Sequence, residues 1–174
     1  LNAFTSKEHT CFYGRGISNH IEKTFEVLSD MIQNSLFAPK DLAKESKVVI
    51  DELYDIEDSP EELIFDKFES NLFKGNSLEY TIIGTEKNIA NFSQQDLLDY
   101  VNKHYSINNL YIIASGNVDH NKLIHLTEKY LTNLKVGNSK KRKLCTSQKV
   151  ENIFVQKDIN QTHLIVGGLT HGYN

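Results

Sequence analysis

The sequence is short of cysteine, of proline and of positive charge, and each shortage removes a class of protein. Its two cysteines, Cys11 and Cys145, stand far apart and form neither a Cys-x-x-Cys metal knuckle nor a disulfide framework. Cys11 sits among apolar neighbours and reads as a small buried hydrophobe. Two prolines in 174 residues exclude collagen-like and proline-rich disordered chains. Lys and Arg number 19 against 23 Asp and Glu, a formal charge of −4, which argues against a general nucleic-acid binder. No apolar run approaches the roughly 18–20 residues that span a bilayer. The single methionine is Met31, so no initiator opens the chain. The expectation is a piece of a longer soluble protein, incomplete at its N-terminus, whose compartment is not legible. A bacterial source would make it cytoplasmic or periplasmic.

The length suits one domain over residues 1–174. Leu1, Ala3 and Thr5 alternate with Asn2 and Phe4, and Thr10-Cys11-Phe12-Tyr13 is β-prone, so two strands flank the polar turn Ser6-Lys7-Glu8-His9. A helix runs from about Ser18 to Ser35, with Ile21, Phe25, Leu28, Ile32 and Leu36 on one face. A second begins near Pro39, which suits a first turn, and ends near Ile56. Ser59-Pro60-Glu61-Glu62 opens a third with a cap, a first-turn proline and a capping box; Gly75 ends it. Residues 74–92 read as a polar connection. Ser93 caps a helix carrying Leu97, Leu98, Val101 and Tyr105. Leu110 to Ala114 reads as a buried strand, 120–134 as a helix, and 152–156 and 163–167 as closing strands. The expected fold class is α+β, a mostly antiparallel sheet with helices packed on it. Residues 136–148 form a polar connector. Its Lys140-Lys141-Arg142-Lys143 run is a solvated loop or a patch for nucleic acid or anionic lipid; the negative net charge favours the loop.

The second helix carries an anomaly. With Leu42 at 0° and about 100° per residue, Val49 falls near 340°, Leu53 near 20° and Ile56 near 320°, the apolar arc. Lys44, Lys47, Asp51 and Asp55 gather between about 140° and 220° on the opposite face. Glu45 and Glu52 fall near 300° and 280°, at the edge of the apolar arc and in line with each other. One reading is two glutamates at a stripe edge reaching water or a cation. The other is a metal ligand with a supporting carboxylate, because an inward carboxylate is costly unless paired or bound to a cation. Free exposure of both to bulk solvent on the outer side of the helix would collapse the second reading and any function built on it.

The 7 histidines form no His-x-x-x-His pair. Glu8-His9 looks like half of a His-x-x-Glu-His motif, but Thr5 occupies the place of the first His. In a strand and turn that spacing does not put two rings on one face. His104, His120 and His125 read as surface or boundary residues of amphipathic helices.

Several segments resemble, in order, those of the pitrilysin/insulinase family of zinc peptidases, which includes the mitochondrial processing peptidases. Leu1-Asn2-Ala3-Phe4-Thr5-Ser6-Lys7-Glu8-His9-Thr10 looks like the strand and turn that follows the family's metal helix. The stretch Glu45-Ser46-Lys47-Val48-Val49-Ile50-Asp51-Glu52-Leu53, followed by Asp58-Ser59-Pro60, resembles its Glu…Val-Ile-x-Glu…Asp-x-Pro element. Ile83-Gly84 and Asn88-Ile89 resemble the loop before the next helix. Asp96-Leu97, Tyr105, Asn109 and Gly116-Asn117-Val118-Asp119 are similar to the later helix–strand–helix signature. The resemblance is colinear from Leu1 to about Leu134 and weaker beyond.

The resemblance implies a processing-peptidase-type domain that cleaves extended peptides by metal-activated water. Zinc in that family is held by the two histidines of a His-x-x-Glu-His helix and a distant glutamate, here Glu52 by motif position, with Glu45 a supporting residue. Asn2, Ala3, Phe4 and Thr5 match the edge strand that pairs with substrate main chain. A second homologous domain or subunit is implied as partner. The sequence departs from the pattern in one respect: no His-x-x-Glu-His occurs in residues 1–174. The expectation is zinc in the intact protein, none bound to this chain alone, and self-association through exposed apolar surface and strand edges. Two other readings stay open: a non-catalytic homologous subunit that binds peptides or supports a partner peptidase, and a plain α+β interaction domain.

Overall fold

The computed structural model describes residues 1–137, 145 and 152–170. Its elements are β1 (Asn2–Thr5), β2 (Thr10–Tyr13), α1 (Ile21–Asn34), α2 (Pro39–Asp58), α3 (Pro60–Leu72), α4 (Glu86–Asn91), α5 (Gln94–His104) and α6 (His120–Tyr130), with short 3-10 turns at 18–20, 77–79 and 107–109. They fall into two compact units. One comprises Leu1–Leu42 and Phe92–Lys140; the other comprises Ala43–Asn91 and Lys141–Asn174.

In the first unit β1 and β2 form an antiparallel hairpin with Asn2 opposite Tyr13, Ala3 opposite Phe12, Phe4 opposite Cys11 and Thr5 opposite Thr10. The turn is closed by Ser6 N–H donating to the His9 carbonyl at 2.8 Å. Its hydroxyl also accepts from the N–H groups of Glu8 and His9. The polar turn expected at 6–9 is therefore present, and serine makes it by taking up loop amides. Gly14 follows β2 where the side chains of Leu1 and Thr24 crowd the main chain, leaving no room for a Cβ.

Helix α1 packs on α6, and their apolar faces meet around Leu126, which is 2% exposed. Phe25 lies against Tyr130 with ring centroids 6.2 Å apart. The Gln33 amide ties the seam. Its Nε2 donates to the carbonyls of Ser29 at 3.1 Å and Tyr130 at 2.7 Å, and its Oε1 accepts from Asn133 N–H at 3.0 Å. One side chain thus takes up a carbonyl at the end of α6 and an amide of the chain leaving it. At the other end of the seam Glu22 accepts from Lys129 Nζ at 2.7 Å and from the Tyr130 hydroxyl at 3.0 Å. Helix α5 opens with a reciprocal capping box between Ser93 and Asp96, and its end is held by Asn109 Nδ2 donating to the His104 carbonyl at 3.0 Å. Tyr105, beyond α5, meets Phe12 of β2 edge-on at 6.3 Å.

The second unit is centred on Leu53 of α2, Leu72 of α3 and Ile89 of α4, each 6–7% exposed. Ser59 ends α2 and caps α3, accepting from Glu62 N–H, and Pro60 occupies the first turn. Gly75 is left-handed at φ 81° and lies three residues past the last helical residue, Leu72. Gly84, at φ 88°, turns the chain into α4. Lys157 Nζ donates to the Glu57 carbonyl, and Gly167 lies against the Phe68 ring so closely that a Cβ would meet it at 2.8 Å.

Two expectations are overturned. Among the described residues the only sheet is the β1–β2 hairpin, so the fold is mostly helical and a mostly antiparallel sheet is not found. The segments 110–114, 152–156 and 163–167 carry no ladder. Tyr111 is 88% exposed and Ile113 90%, against the burial expected of that strand. An apolar run supplies strand side chains, but a strand exists only with a hydrogen-bonded neighbour, and none of these segments has one among the described residues. The second correction is α4, in a stretch read as a polar connection. The Lys140–Lys143 run and most of the 136–148 connector lie outside the described residues.

Gln33→Met keeps the bulk and removes three hydrogen bonds. It should lower unfolding free energy by about 1–3 kcal/mol, read as a shifted urea midpoint. Glu22 is held below its ordinary value of 4.5 by the Lys129 and Tyr130 hydrogen bonds, and Asp96 below 3.8 by the Ser93 hydroxyl and amide. Both are depressed in the folded chain, so their contribution is present above those ordinary values. It is lost as pH falls through the lower, folded values. Glu22→Gln should shallow the acid limb of a melting-temperature profile, and an unchanged limb would remove the clasp from the acid response.

Candidate functional site

The residues singled out by sequence divide between the units. Asn2, Ala3, Phe4 and Thr5 are consecutive on β1 in the first, and Glu45 and Glu52 lie on the part of α2 in the second.

Helix α2 forms as its apolar spacing demands. Leu53 is buried, and Leu42, Val49 and Ile56 are half-buried, so the apolar arc is where the wheel puts it. The glutamates are not where the inward reading puts them. Glu45 and Glu52 are both exposed. A wheel gives the angle of a side chain around its helix; whether that angle is covered depends on what packs there. At the edge of the arc the carboxylates stay hydrated, which spares them desolvation. The geometric support for an inward metal ligand is absent. Seven residues of helix also separate the pair by about 10 Å of rise, too far for two donors to one ion without bending together.

A zinc site needs three or four ligands at about 2.0–2.3 Å. Among the described residues no group of three or more His, Cys, Asp or Glu side chains is placed to hold a metal ion. Glu52 offers one carboxylate, and the described residues do not complete a zinc site around it. Just past it, Tyr54 donates a hydrogen bond to Glu86 at the start of α4, which raises the phenol above its ordinary value. This tie between the glutamate-bearing helix and α4 was not visible in sequence, because α4 itself was not.

On β1 the pairing with β2 leaves the opposite edge of the strand without a sheet neighbour among the described residues. All four residues of β1 are exposed. Phe4 is half flanked by His9 and Tyr13, with ring centroids 5.8 and 6.2 Å away. The Thr5 and Thr10 hydroxyls face each other across the hairpin at 3.3 Å. The arrangement can present main-chain donors and acceptors to another extended segment. Among the described residues no helix is long and apolar enough to cross a membrane.

Residues 1–86 match the family model for insulinase (peptidase family M16), and residues 91–174 match the model for the peptidase M16 inactive domain. The chain belongs to the insulinase family. It is 38% identical over 167 residues to an uncharacterized zinc protease of Rickettsia felis, covering 96% of this chain and 40% of that protein. It is 36% identical over 139 residues to the mitochondrial-processing peptidase subunit beta of Caenorhabditis elegans, covering 80% of this chain and 30% of that one. In fold it resembles the first half of the periplasmic protease PqqL from Escherichia coli, with a TM-score of 0.66 at 15% identity over 84% of this chain and 32% of that structure. The chain thus spans well under half the length of these relatives. Membership rests on this sequence likeness and not on the orientation of the glutamates.

Proposed function

We propose that the chain is part of a zinc-dependent endopeptidase or oligopeptidase that cleaves extended peptides. The observation that carries the reading is the 38% identity to a zinc protease across 96% of the chain. In this reading Glu52 is the one zinc ligand the chain supplies, Glu45 supports it, and the strand Asn2, Ala3, Phe4 and Thr5 is the substrate-binding element, offering its open edge to substrate main chain. Histidine ligands and the general base come from residues other than 1–174, which contain no His-x-x-Glu-His. The exposed Phe154, Leu164 and Val166, at 92%, 82% and 89%, support a further segment, a second homologous domain or a partner subunit as their cover. A second reading, a non-catalytic homologous subunit, draws support from the exposure of both glutamates, since a working ligand is expected to be shielded and held.

In the whole protein Glu52→Gln should abolish peptide hydrolysis and weaken zinc, because an amide is a poor ligand. Glu45→Gln should cost less, through disturbed orientation. Hydrolysis of a quenched fluorescent peptide with zinc content measured alongside separates the roles; full activity in Glu52→Gln removes Glu52 from the site. The 174-residue chain alone should bind no catalytic zinc and cleave nothing. Tight one-to-one binding in a calorimetric zinc titration would overturn that.

A further inference from the structure

The closing bond of the hairpin sets the direction of every main-chain group in β1. Ser6 N–H donates to the His9 carbonyl, so that pair is hydrogen-bonded, and antiparallel strands alternate bonded and non-bonded pairs. With Phe4 opposite Cys11 and Asn2 opposite Tyr13, those pairs are bonded as well. Ala3 and Thr5 therefore turn their N–H and C=O groups away from β2, onto the edge that has no sheet neighbour among the described residues. These are the groups an added strand would use.

One of them is already engaged. Ala3 N–H donates to the Asn2 side-chain oxygen, Oδ1, at 2.9 Å, and the bond lies in solvent. The acceptor belongs to the preceding residue of the same strand, so it follows the edge wherever the edge goes. Asparagine suits this task. Its carboxamide oxygen reaches the next main-chain amide, carries no charge, and is readily given up because water satisfies it equally well. An open strand edge is a hazard, since it pairs with any free strand of suitable chemistry. Covering a single donor lowers that hazard without closing the edge.

We propose that the Asn2 carboxamide is a displaceable cap on the edge of β1. It holds the Ala3 amide in the empty protein and yields it to a carbonyl of an incoming extended peptide. Asn2 is then a positioning residue that sets the threshold for strand addition, and it discourages pairing between two copies of the chain. The displacement step rests on the reading of β1 as a peptide-binding edge; the cap itself does not.

The test uses the 174-residue chain, its Asn2→Ala and Asn2→Asp variants, and two readouts. The first is the solvent-exchange rate of the Ala3 amide by NMR, corrected for the intrinsic rate of each sequence. The second is anisotropy of a fluorescein-labelled, uncharged peptide of alternating Val and Thr. Asn2→Ala should speed Ala3 exchange and tighten peptide binding by about two- to tenfold, the worth of one exposed hydrogen bond. It should also increase self-association in sedimentation. Asn2→Asp, a charged and stronger acceptor, should slow exchange and weaken peptide binding. Unchanged Ala3 exchange in Asn2→Ala would overturn the cap. Weaker peptide binding in that variant would make Asn2 a direct contact of the peptide and overturn displacement. If the wild-type chain and both variants bind no peptide, the displacement step and the edge reading fall together, while exchange still decides the cap.

Discussion

Every helix leaves main-chain groups unpaired at its ends, and every lone hairpin leaves them along its edges. In this chain those groups are met by short polar side chains placed one to five residues away. Ser59 serves α3, Ser93 with Asp96 serves α5, and Asp119 accepts from Lys122 N–H at the start of α6. Thr85 receives Asn88 N–H at the start of α4, and Asn109 takes up a carbonyl at the end of α5. Where local chemistry does not reach, Gln33 bridges from a distant helix. Several residues that make the chain resemble its family are among these caps and turns: Gly84, Asp96, Asn109, Gly116 and Asp119.

That origin explains what was legible. The hairpin, the helices at 21–34, 39–58, 60–72, 94–104 and 120–130, and the starts of all of them but the first, read from Ser18 where a 3-10 turn precedes α1, were legible because caps, turns and 3.6-residue periodicity are local. The strands expected at 110–114, 152–156 and 163–167 were not found because a ladder needs a partner that no local pattern specifies. Helix α4 was missed because six residues give little periodicity and its signal, Thr85 before Glu86, is that of a loop as much as of a cap. For the candidate site, sequence placed Glu45 and Glu52 correctly on one line of one helix. It did not supply the cover that would turn them inward, because the wheel describes α2 without its surroundings.

The family and the site consequently rest on different grounds. Likeness over nearly the whole chain identifies an insulinase-family protein. A zinc site would need more than Glu52, and among the described residues no group of three or more His, Cys, Asp or Glu side chains is placed to complete one. The same division runs through β1, whose strand geometry is settled by its pairing with β2 and whose use as an edge is a matter of what approaches it.

The first unit is assembled from two stretches of chain, 1–42 and 92–140, and its seam joins Gln33 to Tyr130 and Asn133. A contact between positions so far apart closes a long loop, and such closure slows folding more than it weakens the product. On the ribosome, α1 waits with its apolar face uncovered while the whole of α2, α3, α4 and α5 is synthesised. At about 5–20 residues per second that interval lasts seconds, long enough for a chaperone or a neighbouring nascent chain to reach the face before α6 does.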